Sequence, residues 1–147
     1  MNKLRLVLPA VVLALTVPAA AHNGVIHEAP HGGILKATKN AHFEILLAPK
    51  GGARIYLMDA AGRPLPASAA SELSVEIDRP GSKTEYLQMT PDPTNTLWTG
   101  PGRPVDDPKS IVRVGIVVQG SSALIEIPRA QFPVYAKAPA PGKTHAH

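Results

Sequence analysis

The feature that most restricts the fold is a recurrent alternation of apolar and polar residues with period two. The run from Ile111 to Val118 puts Val112, Val114, Ile116 and Val118 on one face, because successive side chains of a strand point to opposite sides of the sheet. Gln119-Gly120-Ser121-Ser122 then carries hairpin chemistry, and Ala123, Ile125 and Ile127 return to the same side. Leu73, Val75 and Ile77 alternate with Glu72, Ser74, Glu76 and Asp78, and Phe43, Ile45 and Leu47 alternate with His42, Glu44 and Leu46. Further extended runs are expected over Arg54 to Asp59, Lys83 to Thr90, and Leu97-Trp98. Turn-forming clusters at Pro49 to Gly52, Ala60 to Pro64, Arg79 to Ser82 and Gly100 to Gly102 separate them. Such punctuation at intervals of about ten residues predicts a small antiparallel sandwich or barrel of about seven strands. No segment has a persuasive helical period, and Ala67 to Glu72 is expected to form one turn at most.

The two ends of the chain read differently. Lys3 and Arg5, the apolar run from Leu6 to Val17 and the small residues Ala19-Ala20-Ala21 have the three parts of a secretory signal, with cleavage expected after Ala21. The run is shorter than the roughly 20 apolar residues that span a bilayer, so no membrane insertion is expected after cleavage. The organisation expected is a signal over 1–21, an extended His/Gly/Pro-rich lead-in over 22–33, a β domain over 34–133 and a disordered Ala/Pro/Lys-rich tail over 134–147. The 126 residues that follow the signal suit one domain with its own core.

Composition removes several classes of function. Past the signal, thirteen Lys and Arg face eleven Asp and Glu, a formal charge of +2 without any clustered basic run. That pattern gives no reason to expect nucleic acid or an anionic membrane as partner. Cysteine is absent, which excludes disulfides, thiol catalysis, thiolate zinc sites and iron–sulfur ligation.

The six histidines are the feature with chemical content. His22, His27, His31 and His42 lie near the start of the exported chain, and His145 and His147 lie at its end. Imidazole is the commonest protein metal ligand, and without thiolates a site here is rich in nitrogen and oxygen, suiting Cu(II), Zn(II), Ni(II) or Co(II). Cleavage after Ala21 would give His22 a free α-amino group, so that amine and imidazole could chelate one ion as half of a copper brace. His31 or His42 would supply the other half. Glu28 and Glu44 are the candidate oxygen donors, Glu44 sharing a strand face with His42. The bland alternatives are that His31 is a polar turn residue, that His42 and Glu44 are the wet face of an edge strand, and that His145-Ala146-His147 binds metals weakly as any such peptide does. Ligation requires neutral imidazole, so affinity is expected to rise through about pH 6 to 7.

Catalytic constellations are not marked. Ser110, Ser121 and Ser122 have no histidine nearby in sequence and no G-x-S-x-G elbow. Glu76/Asp78 and Asp106/Asp107 read as a strand face and a loop, and no phosphate-binding glycine loop is present. No catalytic or organic-cofactor residues are expected. Trp98 is expected in the core or at its rim.

Pro30-His31-Gly32-Gly33, then Ala41-His42-Phe43-Glu44, Ile55-Tyr56-Leu57-Met58-Asp59 and Gly62-Arg63-Pro64-Leu65-Pro66 together carry a resemblance. This stretch, about residues 30 to 78, resembles the small β domain of some periplasmic adaptor proteins of metal-exporting RND pumps, and of free-standing periplasmic proteins like it. The resemblance implies metal ligation by His31 and His42, or docking beside an envelope efflux complex. The chain has no room for the helical hairpin or the lipoyl-like and barrel domains of an adaptor, so the implied role is accessory.

The reading expected is a non-enzymatic periplasmic or secreted protein binding a divalent transition metal, Cu or Zn foremost, through His22, His27, His31, His42, Glu44, His145 and His147. The rival is a non-catalytic, immunoglobulin-like interaction module of the cell envelope. A copper oxidase using His22 is a third possibility.

Overall fold

The computed structural model describes residues 28–133. The expected signal, His22, His27, His145, His147 and the tail over 134–147 lie outside the described residues.

The alternation seen in sequence becomes two antiparallel sheets. Strands β1 (Ile34–Ala37), β2 (Ala41–Leu47), β3 (Ala53–Asp59), β4 (Pro64–Leu65), β7 (Thr90–Pro91) and β8 (Trp98–Gly100) form the first. Its order is β1-β2-β3-β8-β7, with β4 also paired to β3. The second contains β5 (Ala70–Asp78), β6 (Glu85–Leu87), β9 (Ile111–Val118) and β10 (Ser121–Pro128) in the order β10-β9-β5-β6. The protein is an all-β sandwich. Its described strands exceed the expected seven because β4 and β7 are two-residue ladders, too short to leave a periodic signature.

β9 is central, with Val114 opposite Ile125 on one side and Val75 on the other. Gln119 and Gly120 connect it to β10 with φ of 48° and 71°. Two central residues with positive φ match the right-handed twist of the flanking strands. Phe43, Ile45, Ile55 and Leu57 from the first sheet meet Val75, Ile77, Val112, Val114, Val118 and Ile127 from the second, each at most 2 % exposed. Full burial of such a side chain contributes about 1.5–3 kcal/mol, so a core of this size holds the sheets together without disulfides.

Two expectations are corrected. Lys83 to Thr90 is not one strand: β6 belongs to the second sheet and β7 to the first, so the chain changes sheet through Gln88 and Met89. Pro91 lacks an N–H and is accommodated at the sheet edge. The strand expected from Glu72 starts at Ala70, directly after a 3₁₀ turn over Ala67–Ala69, and a bulge between Ala70 and Glu72 restores its register with β9. Trp98 packs at the rim of the core and donates its indole N–H to the Ala67 carbonyl at 2.8 Å. Among the described residues no helix is long and apolar enough to cross a membrane.

Candidate functional site

The outer face of the first sheet carries the chemistry. Register places Glu44 of β2 opposite Tyr56 of β3, and His42 opposite Met58. Alternation alone makes that face wet, yet Glu44 is 0 % exposed. Its cover is the segment just before β1. The Gly32 N–H donates to the Ala29 carbonyl at 3.1 Å, closing a turn that folds Pro30 to Gly33 across β2. The lead-in is therefore not extended throughout.

Both glycines of this turn have a physical reason. Gly32 has φ of 79°, in the region that L side chains rarely adopt. At Gly33 a Cβ would stand 2.4 Å from the Ile45 carbonyl oxygen, so only glycine lets the two backbones approach this closely. The approach brings hydrogen-bond donors onto the carboxylate. His31 N–H donates to Oε1 and Oε2 of Glu44 at 2.9 and 3.1 Å, and Gly33 N–H donates to Oε1 at 2.8 Å. The His31 ring adds Nδ1 at 2.7 Å from Oε2. A buried carboxylate is tolerable only when donors replace its water shell, and two amides and an imidazole do so here.

The same contacts orient His31. Its ring stacks on Tyr56 with centroids 3.7 Å apart and planes 9° from parallel, and its side chain remains 45 % exposed. A carboxylate can only accept, so Nδ1 is the nitrogen that carries the proton, and in the neutral form of the ring the lone pair is the one at Nε2. His42 follows the same logic, because its Nδ1 lies 3.2 Å from the Asp59 carbonyl oxygen, another pure acceptor. Tyr56 and Met58, two residues apart on one strand face, are separated by about 7 Å.

A cleft of about 340 Å³ opens beside His31, walled by Tyr56, Met58, Pro64, Pro66 and Thr96 among others. A second cavity, of about 170 Å³, lies on the other side of the turn between His31, Gly33, Leu46 and Phe132-Pro133. The cleft rim is fixed by Asp92, whose carboxylate accepts from the backbone N–H groups of Thr96 at 2.6 Å and Leu97 at 3.0 Å. The Thr94 hydroxyl and these amides hold its pKa down to about 2.

Of the expected site residues, the structure joins His31 directly to Glu44 and sets His42 on the same sheet face one cross-strand pair away. Glu28 is exposed at the start of the described chain. Among the described residues no group of three or more His, Cys, Asp or Glu comes together in a way that could hold a metal ion. Tyr56 was not singled out as a site residue in the sequence. Its signal is the register itself, which puts an aromatic opposite Glu44.

Fold and site together define a small β-sandwich protein with a carboxylate-oriented histidine on the outer face of one sheet. No family model, curated protein or solved structure matches the chain.

Proposed function

We propose that this chain is a non-enzymatic protein of the cell envelope that binds a divalent transition metal, accessory to metal resistance or efflux, with His31 as the anchoring ligand. The observation that carries the reading is the contact of His31 Nδ1 with the buried Glu44 carboxylate. Metal-ligating histidines characteristically donate their second ring N–H to a carboxylate or carbonyl, which fixes the ring and raises the basicity of the other nitrogen. Stacking on Tyr56 holds the plane as well. Glu44 acts as the orienting partner rather than a ligand, since both of its oxygens are engaged by donors. His42 offers a second Nε2 fixed by a carbonyl. Imidazole nitrogen suits Cu(II) and Zn(II), and placement in the envelope follows from the leader-like start of the sequence.

Calorimetric titration of tag-free protein beginning at His22 with Cu(II), Zn(II), Ni(II) and Co(II) tests this. Stoichiometric binding that is lost in His31→Ala and weaker at pH 5 than at pH 7.5 is the expected result. Binding indifferent to both changes would overturn it.

A second reading, an interaction module of the envelope, draws on Tyr86 and Leu124. These side chains are 66 % and 78 % exposed on the outer face of the second sheet. That reading expects no change in melting temperature with any of the four metals, whereas an ion bound only by the folded state must raise it.

A further inference from the structure

Of the strands that end the two sheets, β10 is the least protected. β1 is four residues long and carries Lys36, β6 has three residues, and β7 has two, one of them Pro91. Shortness, lysine and proline are features that keep a sheet edge from pairing with another chain. β10 runs for eight residues, its only charge is Glu126, and its one proline, Pro128, is the last of them. The two-residue turn at Gln119-Gly120 makes Val118 and Ser121 a pair that exchanges both backbone hydrogen bonds. Such pairs alternate along an antiparallel ladder. Ala123, Ile125 and Ile127 therefore bond to β9, and Ser122, Leu124 and Glu126 turn three N–H and three C=O groups outward. The Arg129 N–H, donating to the Ser110 carbonyl at 2.8 Å, continues the same phase. Among the described residues no backbone group bonds to those outward groups. The side chains of the same three residues are exposed on the outer face of the sheet, Leu124 by 78 %.

We propose that β10 is a dimer edge: two copies of the chain pair their β10 strands antiparallel about a two-fold axis at Leu124, joining two four-stranded sheets into one continuous sheet. This goes beyond the metal reading and does not depend on it. A two-fold contact sets the same surface of each copy against itself, so the strand has to be its own complement. With the axis at Leu124 it is. Leu124 meets Leu124 of the second copy on the outer face, and Ser122 lies opposite Glu126 of the second copy on either side of the axis. All the outward N–H and C=O groups of the three residues are paired, and none is asked of Pro128. Oε1 of Glu126 accepts from Arg113 of its own chain at 2.6 Å, which leaves Oε2 to accept from the Ser122 hydroxyl of the second copy. On the inner face Ala123 and Ile125, half-buried at the margin of the core, stand opposite Ile125 and Ala123 of the second copy and extend that core across the axis. An axis at Glu126 would set two carboxylates directly opposite each other, which is destabilising. An axis at Ser122 would run each strand past the turn of the other.

The test is sedimentation equilibrium of the protein starting at His22, without metal, over a series from micromolar to millimolar, with amide hydrogen exchange followed by NMR at both ends of the series. The mass is expected to rise from one chain to two. Exchange at Ser122, Leu124 and Glu126 should slow by about tenfold or more as it does so, while Ala123, Ile125 and Ile127, already bonded to β9, change little. Ser122→Glu sets carboxylates opposite each other and should abolish the dimer. Adding Glu126→Ser exchanges the two roles and should restore it. Both side chains are exposed, so neither change touches the core, and melting temperatures confirm that each variant is folded. A chain that stays monomeric throughout, a dimer that survives Ser122→Glu, or an exchanged pair that fails to restore it would overturn the proposal. So would outward amides that are protected at the lowest concentration, because another part of the same chain would then cover the edge.

Discussion

The imidazole of His31 lies flat on the phenol of Tyr56, with 3.7 Å between centroids and 9° between planes. The two residues come from different elements, a turn and a strand, and meet because Tyr56 is the cross-strand partner of the Glu44 that the turn covers. Aromatic pairs contribute about 0.5–1.5 kcal/mol beyond their buried area. Tyr56→Leu should therefore lower stability by about 1 kcal/mol and weaken metal binding several-fold, while Tyr56→Phe keeps both. Denaturant melts and calorimetry on the two variants distinguish a ring-stacking role from one for the hydroxyl.

Glu44 is the more consequential side of the pair. Replacing it with Ala leaves the amide N–H groups of His31 and Gly33 without their acceptor, and each buried donor left unsatisfied costs about 1–3 kcal/mol. Glu44→Gln retains one acceptor oxygen and should cost about 1–3 kcal/mol. Urea unfolding should rank the proteins unchanged, Gln, then Ala. Equal stability of all three would mean that the carboxylate does not hold the turn.

The two kinds of glycine constraint can be separated. Gly33→Ala forces a Cβ to within 2.4 Å of the Ile45 carbonyl, whereas Gly81, with φ of 69°, has open space around its missing Cβ. Gly81→Ala should cost only the left-handed backbone penalty of about 1–2 kcal/mol and leave metal affinity alone. Gly33→Ala should displace the turn and lose affinity. A metal titration of both variants, with melting temperatures measured alongside, checks this.

Acid stability has an identifiable contributor at Asp92. Its carboxyl is held down to about 2 by the Thr94 hydroxyl and the backbone amides of the turn. A depressed folded-state value contributes stability that is complete above the ordinary carboxylate range near pH 4. That stability is lost as the pH falls through about 2. Asp92→Ala should melt below the unchanged protein at pH 6, and the gap should close between pH 4 and pH 2. A gap independent of pH would assign the loss to the turn's geometry and not to its charge.

The β9–β10 hairpin was fully legible, since one alternating run, one Gly-containing turn and one returning run leave a single sensible register, and Ser121 does pair with Val118. Core membership of Phe43, Ile45, Leu73, Val75 and Ile77 follows equally from parity, and these residues are buried or packed against the core. Parity failed at Glu44 because it states which side of a strand a residue occupies and nothing about what covers that side. The cover comes from a turn 11 to 13 residues upstream, held by backbone donors that have no sequence signature. The histidine at that turn was legible as a candidate, and its orientation was not. β4 and β7 escaped for a different reason, being two-residue pairings created by tertiary placement. Between β6 and β7 the apolar spacing of Leu87, the last residue of β6, and Met89, in the link, imitates one strand where the chain crosses between two sheets.

A carboxylate sheltered by the chain that precedes it also decides how far the N-terminus can be shortened. Removal of residues up to Glu28 leaves every donor to Glu44 in place. Removal as far as Gly33, although it spares every strand, opens the well over a bare anion and strips the aromatic lid from Tyr56. Limited proteolysis of the folded protein should therefore stop ahead of Pro30, because a protease that cut further would have to expose the charge first.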